Sequence, residues 1–334
     1  MTKKEFKDAM HRGLGRCVYA VGQNPDKYRD IVLSACRKNI AYDAQSEGTR
    51  SWYMYTLANA YQDKEPFILA AAEALQKYRP NCGWDLLHLS ELLMYFSCDG
   101  HEIARQTLED KYKEFLDDMY ARKRRPNGIF HILSDLEQLG LVLAVDRDST
   151  LSIARDFGRL YREKPYMADG DFSWFYESKV KQHKKALERA AKKDEYIACL
   201  LQREQAWLNR FKENRLPQRT RLPDDNTPED YSLLETILRE RIAARDWDGV
   251  HAAGLDVFRA FGKGSGMPRP KHLLPLIYEY TPCSYCRENA LMCMSRHRML
   301  TTGILEECLY DSNEDIRRYA AKQHHIRETR QFVK

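Results

Sequence analysis

The sequence predicts an all-α protein, and the internal repeat described below extends this to a superhelix, a solenoid of antiparallel helix pairs; three observations predict the helical class. Glycine and proline are sparse, at 16 and 12 of 334 residues, below the roughly 12% of an average chain. Apolar residues recur at helical spacing, as in Ile197, Leu200, Leu201, Trp207, Leu208 and Phe211, and the period-two alternation of a half-buried strand is nowhere sustained. Helix-starting punctuation also repeats from end to end.

Taken in order, Asn24-Pro25 sets a capping side chain before a proline at the first helical position, where a missing N–H costs nothing. Helical stretches follow near 25–45, 50–62, 65–79, 84–97, 101–122, 128–143, 149–163, 172–192 and 194–214. Asp99 with Glu102, and Ser312 with Asp315, have capping-box spacing. The segment 215–229, RLPQRTRLPDDNTPE, carries three prolines and reads as an exposed linker. It divides the chain into an N-terminal block at 1–214 and a C-terminal block at 230–334. At the end of the linker Thr227-Pro228-Glu229-Asp230 signals a helix start; within the C-terminal block 261–270 (FGKGSGMPRP) reads as a flexible connection, and Thr281-Pro282 repeats the cap-then-proline device.

Composition excludes several classes. Lys plus Arg exceed Asp plus Glu by 54 to 49, a mild basic excess that permits an acidic partner without demanding one. No apolar run approaches the roughly 18 residues that span a bilayer, and MTKKEFKDAM lacks the apolar core of a signal peptide, so no membrane role and a cytoplasmic location are expected. Nine cysteines without a disulfide-framework spacing fit a reducing compartment.

A shift of 30 residues pairs Leu274 with Ile304, Tyr280 with Tyr310, Thr281 with Asp311, Arg287 with Arg317 and Ala290 with Ala320. The segment Asp311 to Ala320 resembles the turn and second-helix start of a HEAT repeat, in which Asp and Arg stand six residues apart with Ala soon after. The resemblance covers about the last sixty residues; upstream only the rhythm of helix pairs continues, and Thr281 departs from the pattern's aspartate. It implies a structural ladder of Asp and Arg between successive repeats, with helix pairs that bury their flanks by stacking and leave a concave face for ligands.

Chemical motifs are few. Cys283 and Cys286 form a CxxC pair followed by Cys293 and His297, but on one helix Cys286 and His297 stand about 16 Å apart, too far for one ion. Buried structural cysteines are therefore expected, with Cys283 and Cys286 as the residual metal or redox candidates. The GK dipeptide at Gly262-Lys263 lacks the rest of a phosphate loop, and no GxSxG or HExxH is present. No cofactor is implied. From Lys179 to Arg221 there are thirteen Lys or Arg against five Asp or Glu, so Lys181, Lys184, Lys185, Arg189, Arg203 and Arg210 are candidate phosphate contacts. Trp174, Phe175 and Tyr176 are the candidate partner-binding aromatics. Asp43, Glu47 and Arg50, beside Trp52 and Tyr53, have residue types compatible with the HEAT-like alkylpurine DNA glycosylases without matching a motif. The expected function is non-catalytic binding of a macromolecular partner, a protein, on the concave face. The alternative is a HEAT-like nucleic-acid-binding protein with glycosylase-like chemistry.

Overall fold

The computed structural model describes residues 1–79, 83–120, 132, 135, 147–163, 184–213, 231–261 and 270–331, and among these the chain is helical throughout with no strand. The expected linker at 215–229, the aromatic trio Trp174, Phe175 and Tyr176, Lys181, and the side chains of Trp207 and Arg210 lie outside the described residues. So does most of the connection at 261–270. Of the helix expected at 128–143, only Ile132 and Asp135 are described, both helical.

The chain forms two compact units, Met1–Phe67 with Leu222–Lys334, and Ile68–Arg221. The sequence-based division grouped residues 1–67 with the N-terminal block, whereas their packing partners lie near the other end of the chain. Only long-range contacts carry that information.

The first unit contains α1 (Lys3–Arg12), α2 (Arg16–Gln23), α3 (Pro25–Ala35), α4 (Ala44–Glu47), α5 (Ser51–Asn59) and the start of α6 (Glu65–Lys77). Pro25 opens α3 as expected, although the Asn24 side chain makes no cap hydrogen bond. The single helix expected over 25–45 ends at Ala35, because the following turn folds around Asn39. Its side chain accepts from Ala41 and Arg50 N–H, both at 3.2 Å, and donates to Gly48 C=O at 3.0 Å.

The later helices of this unit are α12 (Tyr231–Ala244), α13 (Trp247–Ala260), α14 (Leu274–Tyr280), α15 (Ser284–Arg296), α16 (Thr302–Cys308) and α17 (Glu314–Gln331). The pairs α14/α15 and α16/α17 each pack internally, and α15 packs on α17. Their buried faces meet α12 and α13 in one apolar cluster that includes Leu234, Leu238, Val257, Ile277, Leu291, Ile316 and Ala320. Thr281 and Pro282 sit in the turn before α15, and Cys283 occupies its N-cap position. At α17 the cap is Asn313, whose Oδ1 accepts from Asp315 N–H at 2.8 Å, one residue later than the Ser312 expected from spacing. Ser312 is taken by the arginines described next.

Arg287 and Asp311, both fully buried, join the two pairs through bonds of 2.7 and 2.8 Å, and Arg287 also reaches Ser312 Oγ at 3.3 Å. The N-terminal helices dock on the same place. Arg50 donates to Ser312 Oγ at 2.6 Å, and Arg16 forks onto Glu279 at 2.7 and 2.6 Å and Glu307 at 2.9 Å. Gly13 closes α1 at φ 76° and accepts from Ser312 N–H; a Cβ there would lie 1.9 Å from Ser312 Oγ, so only glycine fits.

The second unit holds the rest of α6 with α7 (Trp84–Cys98), α8 (Glu102–Tyr120), α9 (Arg147–Glu163), α10 (Lys184–Ala191) and α11 (Glu195–Glu213). Asp99 closes α7 rather than capping α8, which starts at Glu102. α9 packs closely on α11 because Gly158 lets the backbones touch; a Cβ on Gly158 would fall 1.8 Å from Tyr196 C=O.

Candidate functional site

The most distinctive surface feature of the first unit is a cleft along α1, centred on Arg12. The helix buries Phe6, Ala9 and Met10, and Arg12 in its last turn is also buried, with 8% of its surface exposed. Its guanidinium lies between the rings of Trp247 and Tyr280, at 5.6 and 5.5 Å from their centroids. Its Nε is buried and has no hydrogen-bond partner. The nearest carboxylates are engaged elsewhere: Glu279 by Arg16 at 2.6 Å and Asp8 by Arg245 at 2.6 Å. Burial lowers the guanidinium's pKa, with Glu279 and Asp8 opposing through space.

Cavities open on both sides of this guanidinium. One, of about 320 Å³, is lined by Lys7, His11, Ile40, Tyr42 and Pro282; the other, of about 390 Å³, by Glu5, Arg16, Arg245, Glu279 and Tyr280; Asp8, Arg12 and Trp247 line both. A third space of about 330 Å³ continues past Lys7 and His11 toward Lys38. Burial, with Lys7 and Lys38 nearby, holds His11 below its ordinary value, so it is neutral at pH 7. The floor is thus aromatic and apolar, the rim has both charge signs, and a partly desolvated arginine waits at the centre. A guanidinium with a free N–H in such a setting is chemically able to donate to a carboxylate or phosphate oxygen.

A second cluster lies nearby in the same unit. His251 from α13, Cys283 from the N-cap of α15 and Cys286 from its first turn bring their ligand atoms within 4.8 Å of one another, and Cys286 Sγ is 3.5 Å from His251 Nδ1. The hydrogen bond from Cys286 lowers the Cys283 thiol, and the same interaction, with burial, raises that of Cys286. By contrast, burial pushes Cys17, Cys36 and Cys308 up to about 12, as for inert core thiols. Cys293 and His297, further along the sequence motif, are not in the cluster.

The chain matches no protein-family model, no curated protein and no solved structure.

The remaining sequence-derived residues distribute as follows. Asp43 caps α4, accepting from Gln45 N–H at 3.2 Å and Ser46 Oγ at 2.7 Å. Glu47 and Arg50 form a buried ion pair, and the second Glu47 oxygen accepts from Ser284 N–H at 3.1 Å. Their polar atoms hold the N-terminal helices to α15 and to the turn before α17. Trp52 stacks under Arg317 at 3.6 Å, and buried Tyr53 donates to Leu14 C=O at 2.7 Å. In the second unit Lys184, Lys185 and Arg189 are exposed on α10, whereas Arg203 packs over the Tyr161 ring at 5.3 Å.

Sequence reasoning missed Arg12, Trp247, Tyr280 and His251. An arginine in a helix's last turn reads as an ordinary partner of the helix dipole, and nothing local says that it is buried. A CxxC pair invites a search for a nearby histidine, but His251 stands about thirty residues upstream on another helix, a spacing that has no signature.

Proposed function

We propose that the chain is a non-catalytic helical-repeat protein that binds a protein partner, and that the α1 cleft seats an acidic side chain or terminal carboxylate of that partner on Arg12. The single observation that carries this reading is the buried guanidinium between Trp247 and Tyr280 with an unpartnered Nε. Leaving a buried donor unsatisfied costs about 1–3 kcal/mol and more when it is charged, and an entering carboxylate recovers part of that cost. Arginine flanked by aromatic rings in a desolvated hollow is also the composition of interface hot spots.

The choice of a protein over a nucleic acid rests on the cleft walls. Glu5, Asp8 and Glu279 line the cavity that Arg12 shares, and they would repel a run of phosphates but tolerate one carboxylate flanked by neutral or basic groups. The finer architecture, HEAT-like stacking, is supported by the way Arg287 and Asp311 bridge successive helix pairs. Relative to the sequence-based expectation, the recognition surface moves from Trp174, Phe175 and Tyr176 to this cleft.

The test is selection of peptides from a random display library on the full chain, followed by titration of the winners against wild type and Arg12→Met. The expected winners share an Asp, a Glu or a free C-terminus and lose at least about tenfold in affinity, 1.4 kcal/mol, on the variant. Winners without a common acid, or equal affinity for Arg12→Met, refute the reading.

A further inference from the structure

We infer that His251, Cys283 and Cys286 form a binding site for a zinc-class divalent metal ion. The proposal stands on the arrangement of three ligand atoms from two helices, all within 4.8 Å. Zinc bonds of about 2.3 Å to sulfur and 2.0–2.1 Å to nitrogen, at tetrahedral angles, require sulfur and nitrogen to stand about 3.6 Å apart. Cys286 Sγ and His251 Nδ1 stand 3.5 Å apart, so this edge of the tetrahedron is already in place. Cys283 at the N-cap and Cys286 in the first turn wrap the positive end of α15, where thiolates are favoured.

Two carboxylates stand close enough to act on the cluster, Asp43 beside His251 and Glu47, itself paired with Arg50, beside the cysteines. The His251 ring lies 5.8 Å from that of Tyr42, whose hydroxyl donates to Asp248 one turn earlier on α13, bracing the helix that presents the imidazole. Binding would release to solvent the thiol protons that the cysteines still carry, with His251 coordinating through Nδ1 and no electron transferred. Three protein ligands leave a fourth position for water or an added donor. A reversible disulfide would use only the two cysteines and leave the placement of His251 without a role.

The experiment uses the full chain, stripped by chelator and kept reduced, and titrated with cobalt(II). The expected result is one equivalent bound, with the visible absorption of tetrahedral cobalt, a near-ultraviolet sulfur-to-metal band for two thiolates, and displacement by one equivalent of zinc. Cys283→Ser should halve that band, His251→Ala should weaken binding at least about tenfold, and Cys98→Ser should change neither. Absence of tetrahedral absorption in the folded wild-type chain, or bands that survive in the Cys283→Ser/Cys286→Ser double variant, overturns the proposal. X-ray absorption on the zinc-loaded wild type supplies a readout independent of variant folding: two sulfurs in the shell support the site, and a shell of oxygen and nitrogen alone refutes it.

Discussion

Replacing Asp311 by Asn keeps the side chain's shape and removes its charge from the most buried ion pair of the first unit. The carboxylate accepts three hydrogen bonds, from Arg287 Nε at 2.7 Å, Arg287 Nη2 at 2.8 Å and Asn313 N–H at 2.8 Å. Arg287 has no surface exposure, and its Nη1 already lacks a partner. Without the carboxylate the guanidinium keeps Ser312 Oγ at 3.3 Å and faces the Asn amide, which offers one weaker acceptor. Breaking one side of a buried pair costs about 3–5 kcal/mol, and that is the expected loss for Asp311→Asn. Urea unfolding followed by tryptophan fluorescence measures it, because Trp52 and Trp247 both lie in this unit. Arg287→Met alone leaves the buried carboxylate uncompensated and should cost a similar amount, and Arg287→Met/Asp311→Asn should recover part of the loss, giving a coupling of about 2–3 kcal/mol. A loss below about 1 kcal/mol for Asp311→Asn, or strictly additive single variants, would show that the pair does not hold the helix pairs together.

Other expectations follow from the same geometry. Gly13→Ala should destabilise the first unit by about 2 kcal/mol or more in the same assay, since alanine is strained at φ 76° and meets Ser312; a neutral result would contradict the close approach. Arg12→Met should change stability by less than about 1 kcal/mol, because lost cation–π contacts and relief of an unsatisfied charge offset each other, while weakening peptide binding at least about tenfold. His11 has a folded pKa below its ordinary 6.5, so the unfolded chain takes up the proton first. Stability should therefore fall as pH drops through about 6.5, and fall less in His11→Gln when unfolding is compared at pH 7 and pH 5. Lys184→Glu/Lys185→Glu should leave stability within about 0.5 kcal/mol. Tight mobility-shift binding of the wild type to duplex DNA, steeply salt-dependent and lost in this variant, would favour the nucleic-acid alternative over the protein-partner reading.

Helical class and most helix positions were legible in the sequence because they depend on neighbours three and four residues apart. Ile197 and Leu200, the two described residues of their stripe that are fully buried, lie on α11 as the helical period predicts, and the start of α3 at Pro25 needed only local chemistry. Capping residues were read less well. Asp99 and Ser312 have the right side chains at plausible spacings, but tertiary contacts decide which of several polar residues in a turn caps the helix; at Ser312 the hydroxyl is claimed by Arg50 and Arg287. A local partner for Arg50 is expected from the sequence in either Glu47 or Asp43; the structure pairs it with Glu47, and the burial of that pair against α15 is a tertiary property.

The amino-acid order alone therefore determined the all-α class and the CxxC turn at the head of α15, both short-range properties. Only the tertiary structure decided that residues 1–67 pack with the C-terminal helices, that Arg12 is enclosed by Trp247 and Tyr280, and that His251 stands beside the two cysteines. Each of those facts joins residues more than thirty positions apart. Burial and ligand geometry are properties of where side chains meet in space, and a linear pattern records them only when the partners share a helix.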